Sequence, residues 1–130
     1  MPKPLLLIVD DIFVNRILLS EIASEIGCDC KVANNGKEAI KQLEDQPFDI
    51  VLMDIEMPVM NGLETTKYIR SKMDSSVSKM PIIALTAHNP NDFFDEFNTA
   101  GFDELITKPY LIKKIKEVVD RFYVNKEAAK

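Results

Sequence analysis

The chain has 130 residues, 46% hydrophobic and 28% charged, the balance of one soluble globular domain. Lys and Arg total 16 against 21 Asp and Glu, and the formal net charge of −5 argues against duplex DNA or an anionic membrane as a direct partner. Cys28 and Cys30 are too few for a disulfide framework, the single His88 cannot complete a Cys/His metal site, and no apolar run reaches the ~18 residues of a membrane span.

Residues 4–9 open the chain as a short apolar run ending in Asp10-Asp11. Such a run does not resemble a signal-peptide core, so a cytoplasmic location is expected. Helical spacing follows: Leu18, Ile22 and Ile26 recur every four residues, Leu19 and Ala23 sit beside them, and Gly27 is a natural stop. Asp29–Ala33 reads as a weaker strand, with Cys28 and Cys30 two apart on one face as a reduced pair. Residues 37–45 carry Ala39, Ile40 and Leu43 on a second helix closed by Pro47. Residues 50–53 form another apolar run, ended by Asp54, and Leu63, Thr66, Ile69 and Met73 form a third helical stripe after the Asn61-Gly62 turn. Residues 81–85 are the third apolar run, ended by Thr86-Ala87. Phe93, Phe94, Phe97 and Ala100 make a fourth stripe, closed by Gly101. Glu104–Thr107 is a second weak strand, ended by Lys108-Pro109. Ile112, Ile115, Val119 and Phe122 form the last stripe. The polar tail 125–130 is expected to fray, leaving 1–124 as the domain.

Strand and helix thus alternate five times. Wholly apolar strands fit a parallel sheet buried on both faces, and right-handed crossovers make it an open doubly wound α/β sheet. Ligands on such sheets sit beyond the carboxyl ends of the strands. Asp10, Asp11, Asp54, Thr86 and Lys108 each follow a strand on that one edge, although far apart in sequence. Three close carboxylates repel one another, and a divalent cation removes the conflict. An all-oxygen site prefers Mg2+. An anion shared between Mg2+ and Lys108 is the expected guest, and a phosphoryl group fits. Neither GxxxxGK[ST] nor GxGxxG occurs, so a nucleotide held in the usual way is not expected, and a carboxylate can itself be the nucleophile. The plain alternative is that acids at strand ends cap helices, with Asp11 capping the first. Pro109 after an inward-aimed lysine suggests a fixed peptide geometry, a cis bond among the options.

These residues resemble one family, the receiver domains of two-component response regulators. The resemblance spans residues 4–124. It rests on Val9-Asp10-Asp11, on Met53-Asp54-Ile55-Glu56-Met57-Pro58-Val59-Met60-Asn61-Gly62, on Thr86-Ala87 and on Lys108-Pro109. It implies a flavodoxin-like (βα)5 fold with strand order 2-1-3-4-5. It implies that Asp54 is the phosphoacceptor, served by a histidine kinase or a histidine phosphotransfer protein. Asp10, Asp11 and Asp54 match the family's Mg2+ ligands, with the main-chain carbonyl of Glu56 as a further one. Thr86 matches the switch hydroxyl, followed by Ala87, and Lys108 the lysine that pairs with the phosphoryl group. Such a domain promotes only its own phosphorylation and dephosphorylation. Its phosphodonor docks near Ile12, Phe13, Leu18 and Leu19. A target or a second copy is expected at the face formed by the fourth helix, fifth strand and fifth helix.

This sequence departs from the family at Leu105, three places before Lys108, where an aromatic residue usually couples to the switch hydroxyl. An aromatic flip is therefore not expected. Tyr110, just after Pro109, is one substitute for that ring, but it reads first as packing at the start of the last helix, and His88 reads as solvated. The Glu56 side chain could reach over the cleft. The string from Asp54 to Gly62 looks like those of hybrid kinases. The alternative function is a Mg2+-dependent aspartyl-phosphate phosphatase of haloacid-dehalogenase type. That family wants Asp two residues past the nucleophile, where this chain has Glu56.

Overall fold

The computed structural model describes residues 3–57, 59–87 and 100–128. Pro58, His88, Phe93, Phe94 and Phe97 lie outside the described residues, and with them most of the expected fourth stripe. The strands are β1 (Leu5–Val9), β2 (Asp29–Ala33), β3 (Ile50–Asp54), β4 (Ile82–Thr86) and β5 (Glu104–Thr107). All neighbours pair in parallel, in the order β2-β1-β3-β4-β5. This is the doubly wound sheet expected from the alternation, in the flavodoxin-like order that the resemblance implies. Among the described residues the helices with both ends given are α1 (Phe13–Glu25), α2 (Gly36–Asp45), α3 (Gly62–Lys72), α4 (Ser75–Ser78) and α5 (Ile112–Ala128).

Successive strand residues point to opposite faces, so each apolar run feeds two cores. Leu6 and Ile8 join Ile50, Leu52, Ile83, Leu85 and Ile106 beneath α1 and α5. Leu7 and Val9 join Val51, Met53 and Ile82 beneath α2 and α3. Each fully buried Leu or Ile contributes roughly 1.5–3 kcal/mol, and with both faces covered a central strand has no position for a polar residue. β2 is an edge strand whose only fully buried residue is Ala33, which is why its sequence looks weaker. Gln42 on α2 donates to Val32 O at 2.7 Å across that edge. Cys28 is buried and Cys30 packs against the same core, both as free thiols.

Several helix faces differ from expectation. On α1 the buried residues are Leu19, Ile22 and Ala23, while Leu18 is 41% exposed. The stripe steps by three and four residues rather than by four alone, which turns Leu18 outward. For the same reason α5 buries Ile115, Val118 and Val119 and leaves Ile112 exposed. α1 ends where Gly27 takes a positive φ of +86°, as the helix stop requires. α3 ends at Lys72, with Met73 as its C-cap. The one-turn helix α4 was not expected; the Asp74 side chain accepts from Ser76 N at 3.1 Å and starts it. α5 continues past the expected boundary at 124 to Ala128.

One side chain ties the lower layers together. Arg70 on α3 donates Nε to Gly101 O (2.9 Å), Nη1 to Ser78 O (2.8 Å) and Met80 O (2.7 Å), and Nη2 to Asp103 Oδ2 (2.8 Å). The same Asp103 oxygen accepts Ile82 N at 2.8 Å. Arg70 thereby joins α3 to the approaches of both β4 and β5. Arg70→Ala is expected to cost about 2–4 kcal/mol in urea denaturation, because three main-chain carbonyls and Asp103 lose their donor. Arg70→Lys recovers only part of this, since one ammonium cannot reproduce the planar fork.

Candidate functional site

Register decides which polar side chains meet. Val9 lies opposite Met53, Asp54 opposite Leu85, and Thr86 opposite Thr107. Asp10, next after β1, and Lys108, next after β5, therefore join Asp54 and Thr86 on one edge. Asp10, Asp54 and Thr86 are 0%, 1% and 0% exposed. Lys108 N donates to Thr86 O at 2.8 Å, and Lys108 Nζ reaches Asp54 Oδ1 at 3.3 Å. The Lys108-Pro109 peptide is cis. All four strand ends singled out in the sequence thus converge. Glu56 and Ala87 sit at the exposed rim.

The acids are crowded. Ligand oxygens of Asp10, Asp11 and Asp54 lie within 4.8 Å of one another. Asp10 Oδ1 accepts Ile12 N at 2.9 Å, but Asp10 Oδ2 and Asp11 Oδ1 are buried and make no hydrogen bond. Asp11 does not cap α1: the N-cap is Ile12, with no side-chain bond. The plain alternative for Asp11 therefore fails. Burial foremost, and then the Asp10 charge, push the Asp54 carboxyl up to about 6, against the pull of Lys108 and of the Glu56 main-chain N–H. Two orphaned carboxylate oxygens beside a third acid suit a hard divalent cation, which prefers oxygen ligands.

The loop from β3 to α3 is shaped around this edge. A Cβ on Gly62 would stand 2.4 Å from Asp54 O, so only glycine allows α3 to start so close to the strand end. Gly62 N donates to Ile55 O at 2.9 Å, and an Asn61/Glu64 capping box opens the helix. Between them Val59 holds a positive φ of +71° and is exposed.

A family model described as the response regulator receiver domain matches residues 6–120. The chain belongs to that family. Against hybrid signal transduction histidine kinase G of Dictyostelium discoideum the receiver is 34% identical over 119 residues, 90% of this chain. It spans only a small part of the curated relatives it matches, 3% in that case. The receiver domain of sensor histidine kinase PA1611 from Pseudomonas aeruginosa PAO1, with a magnesium ion in its active site cleft, superposes with a TM-score of 0.85 at 26% identity, covering 93% of this chain and 98% of that one. The Saccharomyces cerevisiae receiver domain of Ssk1, crystallised with the phosphotransfer protein Ypd1, gives 0.84 at 27% identity, covering 96% and 92%.

Two receiver residues near the edge carried no clear signal in the sequence. Arg16 donates Nη1 to Asp10 O at 2.9 Å and fixes the main chain at the acidic pair. Tyr110 packs its ring against the core under α1 and α5, as expected, yet its hydroxyl is buried toward Asp10. Both contacts depend on how a helix start is aimed across the strand ends, which periodicity does not reveal.

The raised Asp54 carboxyl has a consequence for stability. The folded receiver keeps a proton there that the unfolded chain releases from its ordinary value of 3.8 upward. This group's contribution therefore falls as pH rises from 3.8 to about 6 and stays lost above that. Asp54→Asn is expected to raise stability by about 1–3 kcal/mol near neutral pH without divalent cations, and to give no gain at about pH 4. Urea midpoints at the two pH values measure it.

Proposed function

We propose that this receiver takes a phosphoryl group on Asp54 from a phosphohistidine of a histidine kinase or histidine phosphotransfer protein. The observation that carries this reading is a buried carboxylate with an ammonium at 3.3 Å and two orphaned acid oxygens beside it. Asp10, Asp11, Asp54 and the main-chain carbonyl of Glu56 would hold Mg2+. When bound, Mg2+ supplies positive charge to the transferring phosphoryl oxygens. An Asp54 oxygen attacks phosphorus, the bond to the donor imidazole breaks, and the imidazole nitrogen keeps the electron pair. Lys108 offsets charge on the same oxygens. Thr86, with its hydroxyl on the adjacent strand end, answers the new acceptors, and Ala87 follows it in the chain. The magnesium in the PA1611 cleft and the Ypd1 complex of Ssk1 support the cation and the partner class.

The surface near the acids supports a docking role as well. Ile12, Phe13, Val14, Ile17 and Leu18 are exposed apolar residues on and just before α1. A contiguous apolar patch beside a buried acceptor suits an apolar helix of a phosphodonor. On the other side, a cavity of about 440 Å3 lined by Leu105, Lys108, Pro109, Leu111 and Lys114 supports the β5–α5 face as the contact for a target or second copy. With Leu105 rather than a ring there, the response of Thr86 runs through packing instead of an aromatic flip. The domain acts on no external substrate in this reading. We place it in the cytoplasm, where its two free thiols stay reduced.

Incubation with acetyl phosphate and Mg2+ is expected to add one phosphoryl group by mass, and Asp54→Asn or chelation of the cation to abolish it. No adduct from any donor overturns the reading. Glu56→Ala is expected to leave phosphorylation intact and change the dephosphorylation rate, since its side chain stands at the rim where water would approach. An unchanged phosphoryl lifetime would contradict that role.

A further inference from the structure

Two buried polar atoms at the site face each other without a partner. Asp10 Oδ2 is an acceptor with no donor, and the Tyr110 hydroxyl is a donor with no acceptor of normal geometry. Asp10 is held by its other oxygen, through Ile12 N, and by Arg16 on its main-chain carbonyl. Tyr110 is held by its ring, which packs on the core under α1 and α5, with Lys108 Nζ 5.8 Å from the ring centroid. Each group is thus anchored at one end, and their other ends are turned toward each other. A phenolic hydroxyl is protonated at neutral pH and so is a donor. A carboxylate oxygen has two lone-pair sites, so one oxygen can accept a hydroxyl and still face a cation.

We propose that Tyr110 is a positioning residue for the cation site: its hydroxyl donates to Asp10 Oδ2 and aims that carboxylate at the metal. The proposal rests on the Mg2+ reading given above. Partners of this kind orient metal-bound carboxylates and raise affinity. The Tyr110 hydroxyl is already felt by the Asp10 side chain as a hydrogen-bonding neighbour, so the pairing requires no rearrangement of the fold. Tyr110 sits two residues past the phosphoryl-pairing Lys108, on the same strand exit, so the cation side and the anion side of the site share one rigid support.

The test uses Tyr110→Phe, which keeps the ring, its core packing and its contact with Lys108, and removes only the hydroxyl. Titration calorimetry with Mg2+ alone is expected to show binding weakened by about tenfold. The melting temperature in a chelator is expected to stay the same or rise, because a buried unpaired hydroxyl has been removed. The chain has no Trp and three Tyr, so a tyrosine ultraviolet difference spectrum is readable on Mg2+ addition. That spectrum is expected for the parent chain and lost in Tyr110→Phe. Equal or tighter Mg2+ binding by Tyr110→Phe, or an unchanged difference spectrum, overturns the role of Tyr110 while leaving the cation site standing. A parent chain that binds no Mg2+ overturns the cation reading itself.

Discussion

Crowding of negative charge at the carboxyl edge of the sheet governs the rest of the structure. Asp10, Asp11 and Asp54 bring their oxygens within 4.8 Å of one another, and two of the three side chains are fully buried. Burial and the neighbouring Asp10 charge raise the cost of ionising Asp54, whose carboxyl is pushed up to about 6. Lys108 is the single ammonium in reach among the described residues, and it stands on one side of Asp54 only. The protein tolerates this because the surrounding strands are among its best-buried parts. The cores under and over β3 hold a site that is itself destabilising. Any change of charge at Asp54 thus acts on a balance that is already strained.

The fold was legible in the sequence because each buried strand is a near-continuous apolar run and each helix carries a periodic face. The same logic places the acids, Thr86 and Lys108 on one edge, since the residue after a parallel strand can only lie there. Where the reading slipped, a helix was rotated or an element was too short for a period to show. Leu18 and Leu19 are adjacent and equally apolar, and which one faces inward is settled by the sheet below. α4 is a single turn started by an aspartate cap, with no apolar stripe to mark it. Arg16 and Tyr110 follow the acids and Lys108 closely in the chain, but whether they turn back onto the edge depends on how the next helix starts. Side chains joined through tertiary aim leave no spacing rule in the chain.

The two halves of the edge are built differently. Around the acids the contacts are polar and directional: Arg16 on a carbonyl, Ile12 N on a carboxylate, Glu56 N toward Asp54. Around Thr86 and Lys108 the support is the sheet itself, through Lys108 N to Thr86 O and the pairing of Thr86 with Thr107. The acidic half is therefore held by individual bonds. The other half moves only if the strand ends move together. Leu105 lies on β5 opposite Ala84, a small residue, so packing at that point is set by shape alone.

Val59 shows where this architecture left slack. Its loop is drawn shut by Gly62 against Asp54 and Ile55, and the closure is achieved with a β-branched residue in a left-handed backbone conformation. That conformation costs a branched side chain on the order of 1–2 kcal/mol, and Val59 is exposed, so no packing offsets it. The strain therefore sits at a position beside the carboxyl edge where a change of residue raises or lowers global stability while every polar contact stays as it is. Divergent copies of such a domain could retune their tolerance to heat at this one loop residue and leave their chemistry alone.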